Sequence, residues 1–386
     1  MESILYTGMR SRFSGGYSDM NRYQKVYHVS ILTKGPVFIG SGNMLHKKEY
    51  VFLDHKTQIG ILDVARFYQY LKIKGLSGKF EHFLMKDVRM DLYSWMRKND
   101  ISANEVEPYL KYKIPVGDME LNRDRAKWEI AECMKDAYGM PYVPGSSLKG
   151  ALRTILMADR IHEKDMYKKM QSQIERGLSY GGGNSILRRE DSNMAVELLH
   201  TLDRNSKHME DSVNDEMAGM IVSDSHTLRP QDLVLCQKVE VHVDGTEKRL
   251  NLFRECIKPG TWIEFILTID TKLCSVSRED IERGLSLFSD IYRECFLDAY
   301  DTEEHIGNHM FYLGGGSGFV SKTLIYPVFG KDRGIDITQK IFEKTRVPWK
   351  HKHDRDKRLG ASPHILKCTR IDGKRYQMGL CELHFQ

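Results

Sequence analysis

The sequence predicts an α+β protein in which strands and helices alternate without a regular repeat. Three observations carry that expectation. Residues 25–32, "KVYHVSIL", alternate well enough for a strand. Residues 220–270 hold the runs "MIVSDS", "LVLCQKVEVHV", "RLNLFREC" and "TWIEFILTID", with the turn signals "VDGTE" and "KPG" between three of them, so an antiparallel meander is expected. Leu148, Leu152 and Ile155 recur at helical spacing, and a longer helical pattern covers about 277–297. The irregular order argues against a doubly wound parallel sheet.

Residues 1–20 are rich in Gly and Ser without periodicity and are expected to be poorly ordered, with Met20 an alternative start. After the first strand, "GPVFIGSGN" (35–43) is a second short apolar run closed by glycines. "EYVFLDHKTQIGIL" predicts a hairpin turning at Asp54 to Thr57, followed by a helix over "DVARFYQYLK". Helices are expected at about 78–98 and again over 127–138. "YVPGSSLKGALRTIL" (142–156) reads as strand, turn and helix, with Ser146 or Ser147 as N-cap. "SYGGGNS" (179–185) interrupts the helical region that follows. "DRNSKHMEDSVNDE" (203–216) is almost free of apolar residues, which makes 203–218 a polar loop or insertion between an N-terminal lobe (21–202) and a C-terminal lobe (219–386). A helix near 337–345, a basic run and a terminal strand "YQMGLCELHF" complete the chain.

Composition narrows the function classes. Hydrophobic residues at 41% and charged residues at 29% fit a soluble globular protein. No apolar run reaches the roughly 18 residues of a membrane span. No signal-peptide pattern opens the chain, so a cytoplasmic location with reduced cysteines is expected. The seven cysteines form no C-x-x-C pair, and neither a metal motif nor a cofactor fingerprint is found. The net charge of +5 permits nucleic-acid binding without demanding it, but the charge is segregated. Residues 187–219 hold four basic against eight acidic side chains, whereas "KTRVPWKHKHDRDKR" (344–358) holds seven basic against two acidic.

Two glycine turns are the candidate chemistry. Gly145, Ser146 and Ser147 precede a helix carrying Lys149 and Arg153, and Gly145 and Gly150 share the glycine spacing of an ATPase phosphate loop. Ala151 and Leu152 stand where that loop needs Lys and Ser or Thr, so ATP is not the expected ligand. The second turn, Gly314, Gly315, Gly316, Ser317 and Gly318, leads to Lys322 and Thr323 and lacks only the second glycine of such a loop. It reads either as a tight turn needing positive φ or as a cradle of backbone N–H groups with Lys322 as point charge. Two incomplete phosphate loops, both followed by cations, suit a polyanion backbone better than a nucleotide. In the basic run, Trp349, Lys350, Arg355 and Arg358 are candidates for stacking and phosphate pairing with a single strand. His351 and His353 have a spacing unsuited to joint metal ligation on a helix and read as solvated. His28, His46 and His55 flank the first glycine run; one of them acting as general base would make a metal-independent ribonuclease, while a plain surface role is the simpler reading.

With those residues in view, "PYVPGSSLKGALRT" resembles the signature of the RAMP superfamily of CRISPR proteins, and "GGGSGF" resembles its C-terminal glycine-rich loop. "PVFIGSG" is similar to the family's first-strand motif, with Phe38 where several members have histidine, and so without support for a catalytic strand. Together with "VPWKHKHDRD" and "SPHILKCT", the pattern over residues 21–386 most resembles a subunit of the type III-A Csm effector complex. The resemblance implies ferredoxin-like (RRM-type) modules with helical insertions. It also implies a place at the 3′ end of a CRISPR RNA filament, beside a Csm backbone subunit and a small helical subunit. A part in guide 3′-end maturation through recruited nucleases is implied as well. The expected function is therefore RNA binding and assembly in antiviral defence, without a cofactor; a histidine ribonuclease is the alternative, and a nucleotide hydrolase using 316–323 a third.

Overall fold

A computed structural model gives the fold, and the structure describes residues 23–120, 129–180, 183–302, 306–345 and 353–386. The expected disordered segment 1–20 lies outside these residues. The first sheet contains β1 (Gln24–Thr33), β7 (Met220–Val222), β10 (Trp262–Asp270), β11 (Met310–Tyr312) and β14 (Leu380–Phe385) in the order β11-β14-β1-β10-β7. All of its pairings are antiparallel. The second contains β2 (Gly40–Leu45), β6 (Ile130–Cys133), β8 (Leu233–His242), β9 (Glu247–Ile257), β12 (Ile365–Ile371) and β13 (Lys374–Gln377) in the order β13-β12-β8-β9-β6-β2. A third, small sheet pairs β3 (Tyr50–Leu53), β4 (Gln58–Leu62) and β5 (Leu110–Pro115). Mixed α+β architecture is thus as expected.

Helices α1 (Val64–Ile73), α2 (Ser77–Lys86), α3 (Leu92–Lys98) and α4 (Ala103–Val106) gather over the third sheet around their own aromatic core, where Phe80 and Trp95 meet edge-on at 5.0 Å. The main core lies between the first sheet and helices α5 (Gly145–Glu163) and α8 (Arg278–Cys295). Val29, Ile31, Ile263 and Phe265 face Leu148, Leu152, Ile155, Ile281 and Leu285 there, all buried. The two helices approach closely because Gly284 presents no side chain to Ile155, and Arg283 clamps Asp159 through bonds of 2.9 and 2.6 Å. The helices α6 (Tyr167–Tyr180), α7 (Gly183–Leu199), α9 (Ile325–Lys344) and α10 (Asp356–Leu359) complete the set. Among the described residues no helix is long and apolar enough to cross a membrane.

Several expectations differ from the structure for identifiable reasons. The stretch expected as a helix over 127–138 contains strand β6, held between β9 and β2. Its backbone is further fixed by Glu255, whose buried carboxylate accepts from the Cys133 N–H at 3.1 Å, the Lys135 ammonium at 2.6 Å and the Tyr112 hydroxyl at 2.7 Å. These contacts from distant segments override helical propensity. The expected helix over 78–98 is two helices, with Asp91 capping the second by accepting from Ser94 N–H at 2.7 Å. The expected meander is split: β8 and β9 form a hairpin in the second sheet, whereas β7 and β10 pair in the first. The helix expected near 337–345 begins at Ile325 and breaks stride at Gly330, whose φ is 68°.

Both larger sheets draw strands from either side of 203–218. That polar segment is tied down at its C-terminal end. Asn214 is buried and its amide donates to the carbonyls of Asn205 and His208, while buried Glu216 pairs with Arg160 and accepts from Ser275.

Candidate nucleic-acid interface

Helix α5 starts where the chain leaves Pro144, and neither Ser146 nor Ser147 caps it. The cap comes from across the fold: the Asp224 carboxylate accepts the Gly145 N–H at 2.9 Å. Glycine is required at 145 because a Cβ would sit 2.2 Å from the Val222 carbonyl oxygen. The spot where a phosphate was expected to meet the helix start is thus held by a carboxylate. The face of α5 that opens on a cleft is instead Ser147, Gly150, Ala151 and Thr154, spaced so that they share one side of the helix.

That cleft, about 400 Å³, joins three motifs that are far apart in sequence. Its walls are the first-strand motif (Phe38, Ile39 and Gly40), the small-residue face of α5, and the second glycine turn with Ser321 and Lys322. The glycine turn is stitched to the first-strand motif directly, the Gly315 N–H donating to the Phe38 carbonyl at 2.7 Å, and through Gly379, whose carbonyl accepts the Leu313 N–H at 2.8 Å and whose N–H donates to the Pro36 carbonyl at 2.8 Å. Gly314, Gly316 and Gly318 have φ of 79°, 89° and 103°, a backbone that side chains of L-residues resist. Ser317 is buried and braces the turn through Gly314 and Ser321. The N–H groups of Gly316 and Gly318 have no acceptor among the described residues, which leaves donors available to an anion.

Two cations stand at this turn. Lys322 is exposed, and the surrounding protein and then the Arg254 guanidinium hold its ammonium below the ordinary lysine value. Arg254, on β9, lies over the Phe38 ring at 5.3 Å and so close to Gly316 that a Cβ there would be 2.7 Å from Nη1. Among the described residues neither Lys322 nor Arg254 has a carboxylate partner. Sequence reasoning missed Arg254, whose one signal is alternation: Phe253 is buried, so its neighbour faces the other side of the strand.

The other expected site residues are placed elsewhere or lie outside the described residues. Lys149 and Arg153 lie off the cleft-lining face of α5; Arg153 pairs with Asp215 at 2.5 Å. Partial burial lowers the Lys149 ammonium from its usual value, with Asp215 acting in the opposite sense. Ser146 is exposed beside the helix start and does not line the cleft. Arg355 and Arg358 are exposed on and beside α10, while Trp349, Lys350 and His351 lie outside the described residues. His353, read as solvated, instead bonds Asp356 at 2.8 Å. His46 is exposed at 3.7 Å from Glu129, His28 is exposed on β1, and neither lines the cleft.

Comparison with known proteins agrees with this arrangement of motifs. A family model described as the RAMP superfamily matches residues 30–272. A Mycobacterium tuberculosis protein named "CRISPR system Cms protein Csm5" is 31% identical over 94% of this chain and 98% of its own length. Proteins of the same name are 26% identical in Enterococcus italicus, over 94% of this chain and 98% of theirs, and 29% identical in Streptococcus thermophilus, over 79% and 82%. A chain in a cryo-EM structure of a type III-A Csm-crRNA-target RNA ternary complex superposes with a TM-score of 0.61 at 19% identity, covering 93% of this chain and all of that one. The crystal structure of T.onnurineus Csm5 superposes at 0.60 and 17% identity, over 92% and 99%. The glycine motifs point to the superfamily, and length, motif order and the C-terminal half point to the fifth subunit of the Csm complex, the subunit these relatives are named for. The chain therefore belongs to the RAMP superfamily and, within it, to the Csm5 family of CRISPR proteins.

Proposed function

We propose that the cleft between α5 and the second glycine turn receives the backbone of single-stranded CRISPR RNA. On this reading the chain caps a type III-A effector filament at the 3′ side of the guide, contacts a Csm backbone subunit and a small helical subunit, and supports 3′-end maturation by positioning separate nucleases. The observation that carries the reading is the convergence of Gly314, Gly315 and Lys322, the Ser147-to-Thr154 face of α5 and Phe38 on one cleft, with Arg254 beside it at Gly316 and neither cation paired with a carboxylate among the described residues. Free backbone N–H groups and two cations suit phosphate, and the absence of the Lys-Ser/Thr pair after Gly150 argues against a nucleotide. The fold supports the ferredoxin-like (RRM-type) expectation: with the intervening elements as insertions, β1, α5, β7, β10, α8 and β14 come in chain order as strand-helix-strand-strand-helix-strand, in sheet order β14-β1-β10-β7.

The test is a titration of the purified protein with labelled single-stranded guide RNA over a salt series. Arg254→Ala with Lys322→Ala should weaken binding regardless of base sequence and make the logarithmic salt slope shallower by about 0.7 for each lost phosphate contact. An unchanged slope in a folded double variant would remove the cleft from the RNA path.

A further inference from the structure

We propose that His353, Asp356 and His364 form a binding site for one divalent transition-metal ion, with zinc the best match to the donors. Asp356 lies at the start of α10, and its carboxylate is fully buried. One of its oxygens is 2.8 Å from His353 Nδ1 and accepts from the Ser362 hydroxyl at 2.6 Å; the other is 2.5 Å from His364 Nδ1. One donor atom from each of the three residues lies within 4.8 Å of the others, the one such cluster among the described residues.

The surroundings orient both rings. Phe342 stacks on His353 at 4.2 Å and 17°, and His242, from the end of β8, stacks on His364 at 5.8 Å and 28°. The Tyr326 hydroxyl donates to the Ser362 carbonyl at 2.8 Å, holding the residue whose hydroxyl reaches Asp356. Two imidazole nitrogens and a carboxylate oxygen are ligands that zinc accepts in a tetrahedral site, leaving a fourth position for water or the Ser362 hydroxyl.

With metal–ligand bonds of about 2.0–2.1 Å, neighbouring donors in such a site are roughly 3.3 Å apart. An ion therefore opens the present contacts of 2.8 and 2.5 Å by about 0.5 and 0.8 Å and takes the place of the protons between carboxylate and imidazoles. The ligands can yield by that amount because His353 and His364 sit in connections rather than in a strand. The consequence is a staple between the C-terminal end of the basic run and the start of β12. It is independent of the RNA cleft.

The test uses the full chain, stripped with a chelator and titrated with zinc alone by calorimetry against a competing chelator. One ion per chain is expected, with affinity falling at least ten-fold in His353→Gln and in His364→Gln, and unchanged in His46→Gln, which alters an exposed histidine elsewhere. Cobalt loading should give the visible absorption of a four-coordinate site in the wild type and lose it in the two variants. Because these replacements spare the buried carboxylate, near-ultraviolet circular dichroism should show them folded. Zinc bound no more tightly by the wild type than by the folded double variant overturns the proposal.

Discussion

The Phe38 carbonyl accepts the Gly315 N–H at 2.7 Å, and the Phe38 ring lies beneath the Arg254 guanidinium at 5.3 Å. One residue of the first-strand motif thereby holds the glycine turn through its backbone and a cation beside the cleft through its side chain. Gly314 belongs to the same junction, since a Cβ there would lie 2.3 Å from the Phe38 oxygen at a φ of 79°. Gly314→Ala should destabilise the protein by about 1–3 kcal/mol, through backbone strain and separation of the two segments. A shift in the denaturant midpoint at constant slope is the measurement.

Gly150 tests the cleft from the other side. Nothing lies within 4 Å of a Cβ built there, and the residue is inside a helix. Gly150→Ala should stabilise the free protein by about 0.5–1 kcal/mol, because alanine loses less backbone entropy in a helix. Gly150→Gln should leave the fold intact and weaken guide RNA binding by filling the cleft wall. Equal RNA affinity for the glutamine variant and the wild type would place the RNA elsewhere.

Arg153 and Lys322 separate the charge that matches the sequence motif from the charge at the cleft. Arg153 is engaged by Asp215 at 2.5 Å and lies off the cleft-lining face. Arg153→Ala should therefore alter the RNA salt slope less than Lys322→Ala does. Its own cost should be a stability loss of about 0–1 kcal/mol, as for a partly exposed pair. Parallel salt series on the two single variants decide the point.

Glu240 supplies a pH dependence. Burial would raise its carboxyl, but the Lys367 and Lys238 ammoniums at 2.8 and 2.9 Å outweigh it and hold the pKa at about 2. A carboxyl depressed in the folded state stabilises fully above its unfolded value, about 4.3, and that contribution fades as pH falls through the folded value. Glu240→Gln should cost on the order of 2 kcal/mol at neutral pH, with the gap to wild type narrowing between about pH 4 and 2. Urea unfolding at several pH values reads this directly.

RNA cleavage by the chain alone is not expected. His28 and His46 are exposed and absent from the cleft lining, and Phe38 rather than a histidine occupies the first-strand position that lines it. Purified protein should bind labelled guide RNA and leave it intact with or without magnesium. Cleavage that disappears in His46→Ala with His28→Ala would promote the ribonuclease reading, since contamination cannot track those substitutions.

What the sequence by itself determined is local. The glycines at 314, 316 and 318 mark positive φ. The alternation in residues 25–32 marks a strand, although packing buries both faces of its C-terminal half (Val29, Ser30, Ile31), and the Leu148, Leu152 and Ile155 stripe marks the inward side of α5. These signals need only a residue and its near neighbours, and they carried the family resemblance as well. Tertiary structure decided the rest. Residues 130–133 became a strand because β9 and β2 offer hydrogen-bond partners that no local window contains. Arg254 meets the glycine turn beside the cleft because β9 brings it against Gly316 and the Phe38 ring. Lys149 and Arg153 left it because packing of α5 against α8 and the first sheet sets the helix's rotation, and Asp215 and Asp224 then take up charges and donors that sequence alone leaves free. Conformational preference is written residue by residue; which distant groups meet depends on how the buried faces pack, and that is a property of the whole fold.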